Sequence, residues 1–253
     1  MTRPAALFAL LLFVVPQSQA PRRAPAERPV PFAVGERLTY DISWSSFLTA
    51  GTATVLVKEK KASFNSVAYY MTVEGKPTPF VNALYPVYYK ADTLVDAYTL
   101  LPQWASIFSQ ERGKQQMKVT MFDQQRHTAR FDIRSGATAS RQMSIPPYTQ
   151  DPVSALYWIR TLDLRPGLKT TVPVSYNGNL LTVQVTVNGR ETLGGGSGAR
   201  RAWRVTPLVV NDSSDSAPRK MAVWLSDDNR HVPLRMEVEI AVGRFEMVLT
   251  GAR

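Results

Sequence analysis

The stretch Thr170-Thr-Val-Pro-Val-Ser-Tyr-Asn-Gly-Asn-Leu-Leu-Thr-Val-Gln-Val-Thr-Val187 decides the fold class. Leu181, Val183, Val185 and Val187 alternate with Thr182, Gln184 and Thr186, so an extended chain here has one apolar and one polar face. Asn177-Gly178 supplies two residues that accept positive φ, as a two-residue type I′ turn requires. The reading is a hairpin joining Thr170–Tyr176 to Leu181–Val187.

The same period of two recurs on both sides of that hairpin. Leu38, Tyr40, Ile42 and Trp44 share one face of a first strand, Ala53, Val55 and Val57 one face of the next, and Val67, Tyr69, Met71 and Val73 one face of a third. Further strands are predicted at Tyr88–Asp96, Trp104–Glu111, Gln115–Asp123, Thr128–Ile133, Ala202–Pro207, Met221–Leu225, Leu234–Ala241 and Arg244–Leu249. Gly194-Gly-Gly-Ser-Gly198 and Asn211–Pro218 read as loops. A dozen or so strands in succession predict an all-β, mainly antiparallel protein. The expected form is a large curved sheet rolled into an open barrel or sandwich.

One helix interrupts the strands. Asp151 suits an N-cap and Pro152 the first helical position, where its missing N–H costs nothing. Val153, Leu156, Tyr157 and Arg160 follow at helical spacing, and Pro166-Gly167 ends the segment, so an interior helix is predicted near 151–164. Asp151 and Ser154 read as a capping pair. A second helical turn is possible around Phe80–Tyr85.

Composition excludes more chemistry than it suggests. The 253 residues are 44% hydrophobic and include no Cys and two His. Disulfide frameworks, thiol catalysis and iron–sulfur sites are therefore out, and a His-rich metal centre is hard to build. The length is enough for one large β domain with a real core.

The N-terminus reads as an address. Arg3 precedes an apolar run from Ala5 to Val15, Pro16 breaks it, and Ser18-Gln19-Ala20 offers small residues for cleavage. The run is too short for a bilayer span, which takes about 20 residues. Residues 1–20 are predicted as a signal peptide cut after Ala20 or, less favourably, near Ala26. Residues 21–31, rich in Pro and Arg, are predicted as a tether, and 32–253 as a single β-rich domain. Export makes the location periplasmic or secreted, with no transmembrane segment after the signal is removed and no lipoprotein cysteine. It also redirects the net charge of +10, which falls to +9 with Arg3 gone, away from nucleic acid and towards envelope polymers or lipid headgroups.

Longer landmarks add a family resemblance. Gly35-Glu-Arg-Leu-Thr-Tyr-Asp-Ile-Ser-Trp44 with Ala50-Gly-Thr-Ala-Thr54, then Asp151-Pro-Val-Ser-Ala-Leu-Tyr-Trp-Ile-Arg160 with Pro166-Gly167, then Trp224-Leu-Ser-Asp227, Arg230, Pro233 and Val242-Gly243, occur in this order. Together they resemble domain-of-unknown-function family 3108, a group of exported bacterial β-rich proteins. The resemblance spans about residues 32–250. It implies a fold, an exported location and a bacterial origin, but no reaction and no catalytic residues.

No nucleophile elbow, zincin motif, Walker loop or dinucleotide glycine fingerprint occurs. Trp224-Leu-Ser-Asp-Asp-Asn-Arg-His-Val-Pro233 is the densest polar cluster. It reads as turn chemistry, with a cation site or an Asp227/Asp228 hydrolase using His231 as alternatives. The preferred reading is a non-enzymatic protein with no catalytic residue, metal or cofactor. It would bind an amphipathic envelope component (lipid or lipid-linked glycan) through Tyr157, Trp158, Tyr89 and Trp104. Docking of another envelope protein at a sheet edge is the alternative.

Overall fold

The computed structural model describes residues 26–45, 48–210, 220–240 and 243–253. The signal segment 1–20, the first residues of the tether, the 211–218 loop and Val242 of the family landmarks lie outside the described residues. The first half of the chain forms β1 (Arg37–Trp44), β2 (Leu48–Ser63), β3 (Ser66–Pro77), helix α1 (Pro79–Leu84), β4 (Val87–Asp96), β5 (Pro102–Glu111), β6 (Lys114–Asp123), β7 (Thr128–Ser135) and β8 (Ala137–Ser144). Helix α2 (Pro152–Arg160) follows. The second half forms β9 (Lys169–Tyr176), β10 (Asn179–Leu193), β11 (Arg200–Val209), β12 (Lys220–Ser226), β13 (Pro233–Ile240) and β14 (Gly243–Ala252).

The expectation of a rolled barrel or a sandwich is overturned. All fourteen strands belong to one sheet in the linear order β8-β7-β6-β5-β4-β3-β2-β1-β14-β13-β12-β11-β10-β9, antiparallel throughout. Among the described residues no ladder joins β8 to β9, so the strands form one continuous sheet that is not closed. The reason lies at the two edges. Nearly every residue of β8 is exposed, so it offers no apolar face to draw another strand onto it. At the other end the outer edge of β9 is already used. Gln150 lies parallel to Val174, donates its N–H to the Pro173 carbonyl at 2.8 Å and accepts the Ser175 N–H at 2.8 Å. Pro173, which has no N–H to give, suits such an edge strand. The all-β, antiparallel part of the reading stands.

The decisive hairpin forms as its residues dictate. Asn177 and Gly178 sit at φ 51° and 74°, and β9 and β10 pair from Tyr176↔Asn179 to Thr170↔Val185 and beyond. Leu181, Val183, Val185 and Val187 are all buried.

Helix α2 is shorter than the predicted segment. Asp151 caps it by accepting the N–H groups of Val153 (2.8 Å) and Ser154 (3.2 Å), while the Ser154 hydroxyl accepts the Asp151 N–H at 2.9 Å. Leu156 is only partly buried, whereas Ala155 and Ile159 are enclosed. The buried surface is therefore wider than the predicted stripe, because α2 separates two apolar clusters. Tyr157 packs with Leu38, Tyr40, Val57, Met71 and Leu234. Ala155 and Ile159 pack with Val172, Val185, Trp203 and Leu225.

At its last turn α2 is locked by a buried ion pair. Arg160 reaches both carboxylate oxygens of Glu36, at 2.7 and 2.9 Å, and donates to the Arg230 carbonyl at 3.2 Å. Both residues are almost completely enclosed, at 1% and 4% exposure. Tyr157 donates to the same carboxylate at 3.4 Å, and the Phe32 ring stands edge-on to Tyr157 at 4.8 Å. Burial pushes the Tyr157 and Tyr40 hydroxyls well above the usual phenol range, so both remain neutral donors here.

Candidate functional site

The N-terminal end of α2 meets a cavity instead of a packed core. A recess of about 380 Å³ opens between β4–β6, the start of α2 and the tip of the β9–β10 hairpin. This is within the range for small-molecule sites, about 300–1,000 Å³. Strand alternation explains its lining. Val73, Ala91, Ile107 and Lys118 lie side by side across β3–β6. The next row on the same face carries Thr93, Ala105, Thr120 and Phe131. Ile42, Met247 and Val153 complete the apolar wall. Asp92 and Ser106 occupy the intervening row, which alternates to the opposite face; there Asp92 is held by Lys90 at 3.0 Å and by the Tyr70 hydroxyl at 2.8 Å.

The hairpin tip makes this space a pocket. A methyl group at Gly178 would sit 2.5 Å from the Phe131 ring, so only glycine allows the turn to lie this close to β7. Glycine also suits the positive φ there. Asn177 is thereby held beside Lys118, whose Nζ donates to Asn177 Oδ1 at 3.1 Å. Among the described residues Lys118 meets no carboxylate. Asp151, at the inner end, is fully occupied with the cap and with the Thr93 hydroxyl at 2.8 Å. Burial, working against those hydrogen bonds, holds its carboxyl above the usual aspartate range. Tyr89 and Tyr176 line the recess while staying 45% and 38% exposed, which marks the mouth.

Of the four aromatic residues singled out from sequence, only Tyr89 lines this cavity, its hydroxyl on Glu111. Tyr157 is buried at the ion pair, Trp158 is packed against the second cluster, and Trp104 sits half-buried on β5, paired with Leu94 and Met121. Lys118 and Asn177 were not flagged by the sequence reading. Lys118 shares its strand phase with Gln116 and Thr120, so in the sequence it reads as an ordinary residue on the polar side of β6, and no local signal marks the site.

The Asp227–His231 turn scatters its groups. Asp227 takes Arg190 at 2.8 Å and Arg201 at 3.2 Å. Asp228 accepts the Ser226 hydroxyl (2.7 Å) and the Arg230 N–H (2.9 Å), and these bonds, against the effect of burial, lower its pKa. His231 Nδ1 faces the Arg160 carbonyl at 2.7 Å. Among the described residues no cluster of metal-ligating side chains occurs, and no helix is long and apolar enough to cross a membrane. A wider recess of about 1020 Å³ lies beyond the β4–β5 and β6–β7 turns. Its central carboxylate, Asp96, is occupied by Ser66, Thr99 and Gln103.

From Thr39 onwards the landmark residues on β1, α2 and β12–β14 fall inside a match to the family model described as a protein of unknown function (DUF3108), which covers residues 39–250. The chain belongs to this DUF3108 family. No curated protein matches it in sequence. Among solved structures, a β-barrel-like protein of the DUF1849 family from Brucella abortus superposes with a TM-score of 0.58 at 12% identity, over 90% of this chain and 99% of that one. That likeness concerns the fold alone. A protein of YmcC-like fold from Bacteroides fragilis reaches a TM-score of 0.34 at 13% identity, over 90% of this chain and all of that one, too distant to bear on the DUF3108 chain.

Proposed function

We propose that this DUF3108 protein is exported to the periplasm or beyond and binds an amphipathic envelope component, a lipid or lipid-linked glycan, without transforming it. The observation that carries the reading is the cavity: an apolar wall built from four strand faces and α2, with a few polar groups at defined places and an aromatic mouth. Pockets of that composition bury a largely apolar ligand and orient it by its polar end. Export is supported by the charge, apolar run and small-residue order of residues 1–20. Binding is favoured over hydrolysis because Asp227 and Asp228 are engaged by arginines and turn amides, while the His231 ring faces the Arg160 carbonyl instead.

The test is native mass spectrometry of the protein purified from a bacterial envelope, beside Ile107→Trp, which fills the cavity. We expect a bound amphiphile on the first and none on the second. Wild-type protein free of any adduct and unable to take one from a lipid extract would overturn the reading. A second reading, docking of another envelope protein, is favoured by β8, whose outer edge is unpaired among the described residues and offers main-chain hydrogen bonds to an added strand that brings its own apolar face.

A further inference from the structure

The cavity has an electrical polarity that its apolar lining conceals. Lys118 reaches into it from β6, half-buried, and its ammonium is met by a neutral amide oxygen, Asn177 Oδ1 at 3.1 Å. The other charged groups around the recess, on either face of the sheet, are balanced on the spot. Lys90 and Asp92 hold each other at 3.0 Å, and Asp151 is saturated by Thr93 and the helix cap. A cation in an apolar recess that pairs with no carboxylate among the described residues favours an anionic partner, because a charge-assisted bond there is screened less than in bulk water. Asn177 is fixed at that point by the type I′ turn and by the close packing of Gly178 on Phe131. Its amide completes a small polar station on an otherwise apolar wall.

Size narrows the class further. At about 380 Å³ the recess lies near the lower end of the range for small-molecule sites, about 300–1,000 Å³. That size suits a single acyl chain better than the paired chains of a membrane phospholipid.

We infer that the ligand is a single-chain amphiphile with an anionic head. The head pairs with Lys118 Nζ beside Asn177, and the chain runs along Val73, Ala91 and Ile107 towards Ile42 and Met247. This inference rests on the cavity being the binding site. Tyr89 and Tyr176 then flank the head where the recess meets solvent, which leaves room for a carboxylate or a phosphate monoester.

Calorimetric titration with dodecanoate, dodecyl phosphate, dodecanol and dodecyltrimethylammonium, all below their micellar concentrations, tests it on the wild type, Lys118→Met, Lys118→Arg and Ile107→Trp. Thermal melts confirm that each variant is folded. The expected result is that one or both anions bind about tenfold or more tighter than dodecanol, with the cationic amphiphile weakest. The tighter of the two anions identifies the head. Lys118→Met should erase the preference and Lys118→Arg keep it. Dodecanol binding as tightly as the anions, or a preference that survives in Lys118→Met, would overturn the anionic head and leave the cavity reading standing. Binding of no chain at all, or binding undiminished in Ile107→Trp, would overturn both.

Discussion

The two ends of α2 solve opposite problems. At the C-terminal end, Arg160, Glu36, Tyr157 and Phe32 pack together, and Arg160 holds the buried carboxylate through two short bonds while donating to the Pro31 and Arg230 carbonyls. At the N-terminal end, nine residues away, the helix is capped just as well, yet Pro152 and Val153 face a recess. The first end holds a long open sheet to its helix. The second borders a recess that the hairpin tip closes by resting on Phe131 and Lys118. A sheet of fourteen strands without closure needs such a clamp, since its ends are not tied by hydrogen bonds.

The contrast can be broken most severely at the clamp. Arg160→Met keeps the length and apolar stem but removes the two short bonds to the buried Glu36 carboxylate, leaving only the half-exposed Arg230 guanidinium at 3.4 Å. We expect a loss of about 3–5 kcal/mol in urea unfolding, with much of it recovered when Glu36→Gln is added. A loss below about 1 kcal/mol would mean that the pair is not clamping the helix. A smaller effect separates the two faces of the helix itself. Ile159→Ala, in the packed cluster, should cost about 2–5 kcal/mol. Val153→Ala, whose methyl groups border the recess, should cost about 1 kcal/mol. Equal losses at the two positions would mean that the recess is as tightly packed as the core.

The gentlest probe is pH. Burial raises the Asp151 carboxyl above its ordinary range, so the folded chain holds that proton more readily than the unfolded one. The stability this group contributes is full below its unfolded pKa and falls as pH rises through the folded one. Asp151→Asn keeps the cap, since asparagine caps well, and removes the titration. Unfolding free energies of the two proteins should therefore diverge in favour of the variant as pH rises from about 4. A constant difference across that range would show that the carboxyl is not held in its protonated form by burial.

Much of the fold was legible because its signals are local. Period-two runs marked thirteen strands, and Asn177-Gly178 marked its turn. Asp151-Pro152 with Ser154 marked the helix start down to the reciprocal cap. β8 escaped because Ala137–Ser144 is exposed on both faces and has no apolar period to read. The helix's buried face was misjudged because the stripe rule assumes one packing partner, and α2 has two. The site was barely legible. Lys118 and Asn177 are 59 positions apart, and Glu36 and Arg160 are 124 apart; neither pair shares a motif.

The sequence by itself determined the elements of this protein: its strand faces, its hairpin turn, the capped start of α2 and the family landmarks that run through them. These follow from backbone preferences and side-chain alternation, which act within a few residues. Only the tertiary structure decided that the sheet stays open, because that depends on whether one edge finds the other, and the outer side of β9 pairs with Gln150 instead. It alone decided where a cavity remains, because empty space is left by distant surfaces that meet imperfectly: Gly178 against Phe131, and Lys118 beside Asn177 instead of beside an acid.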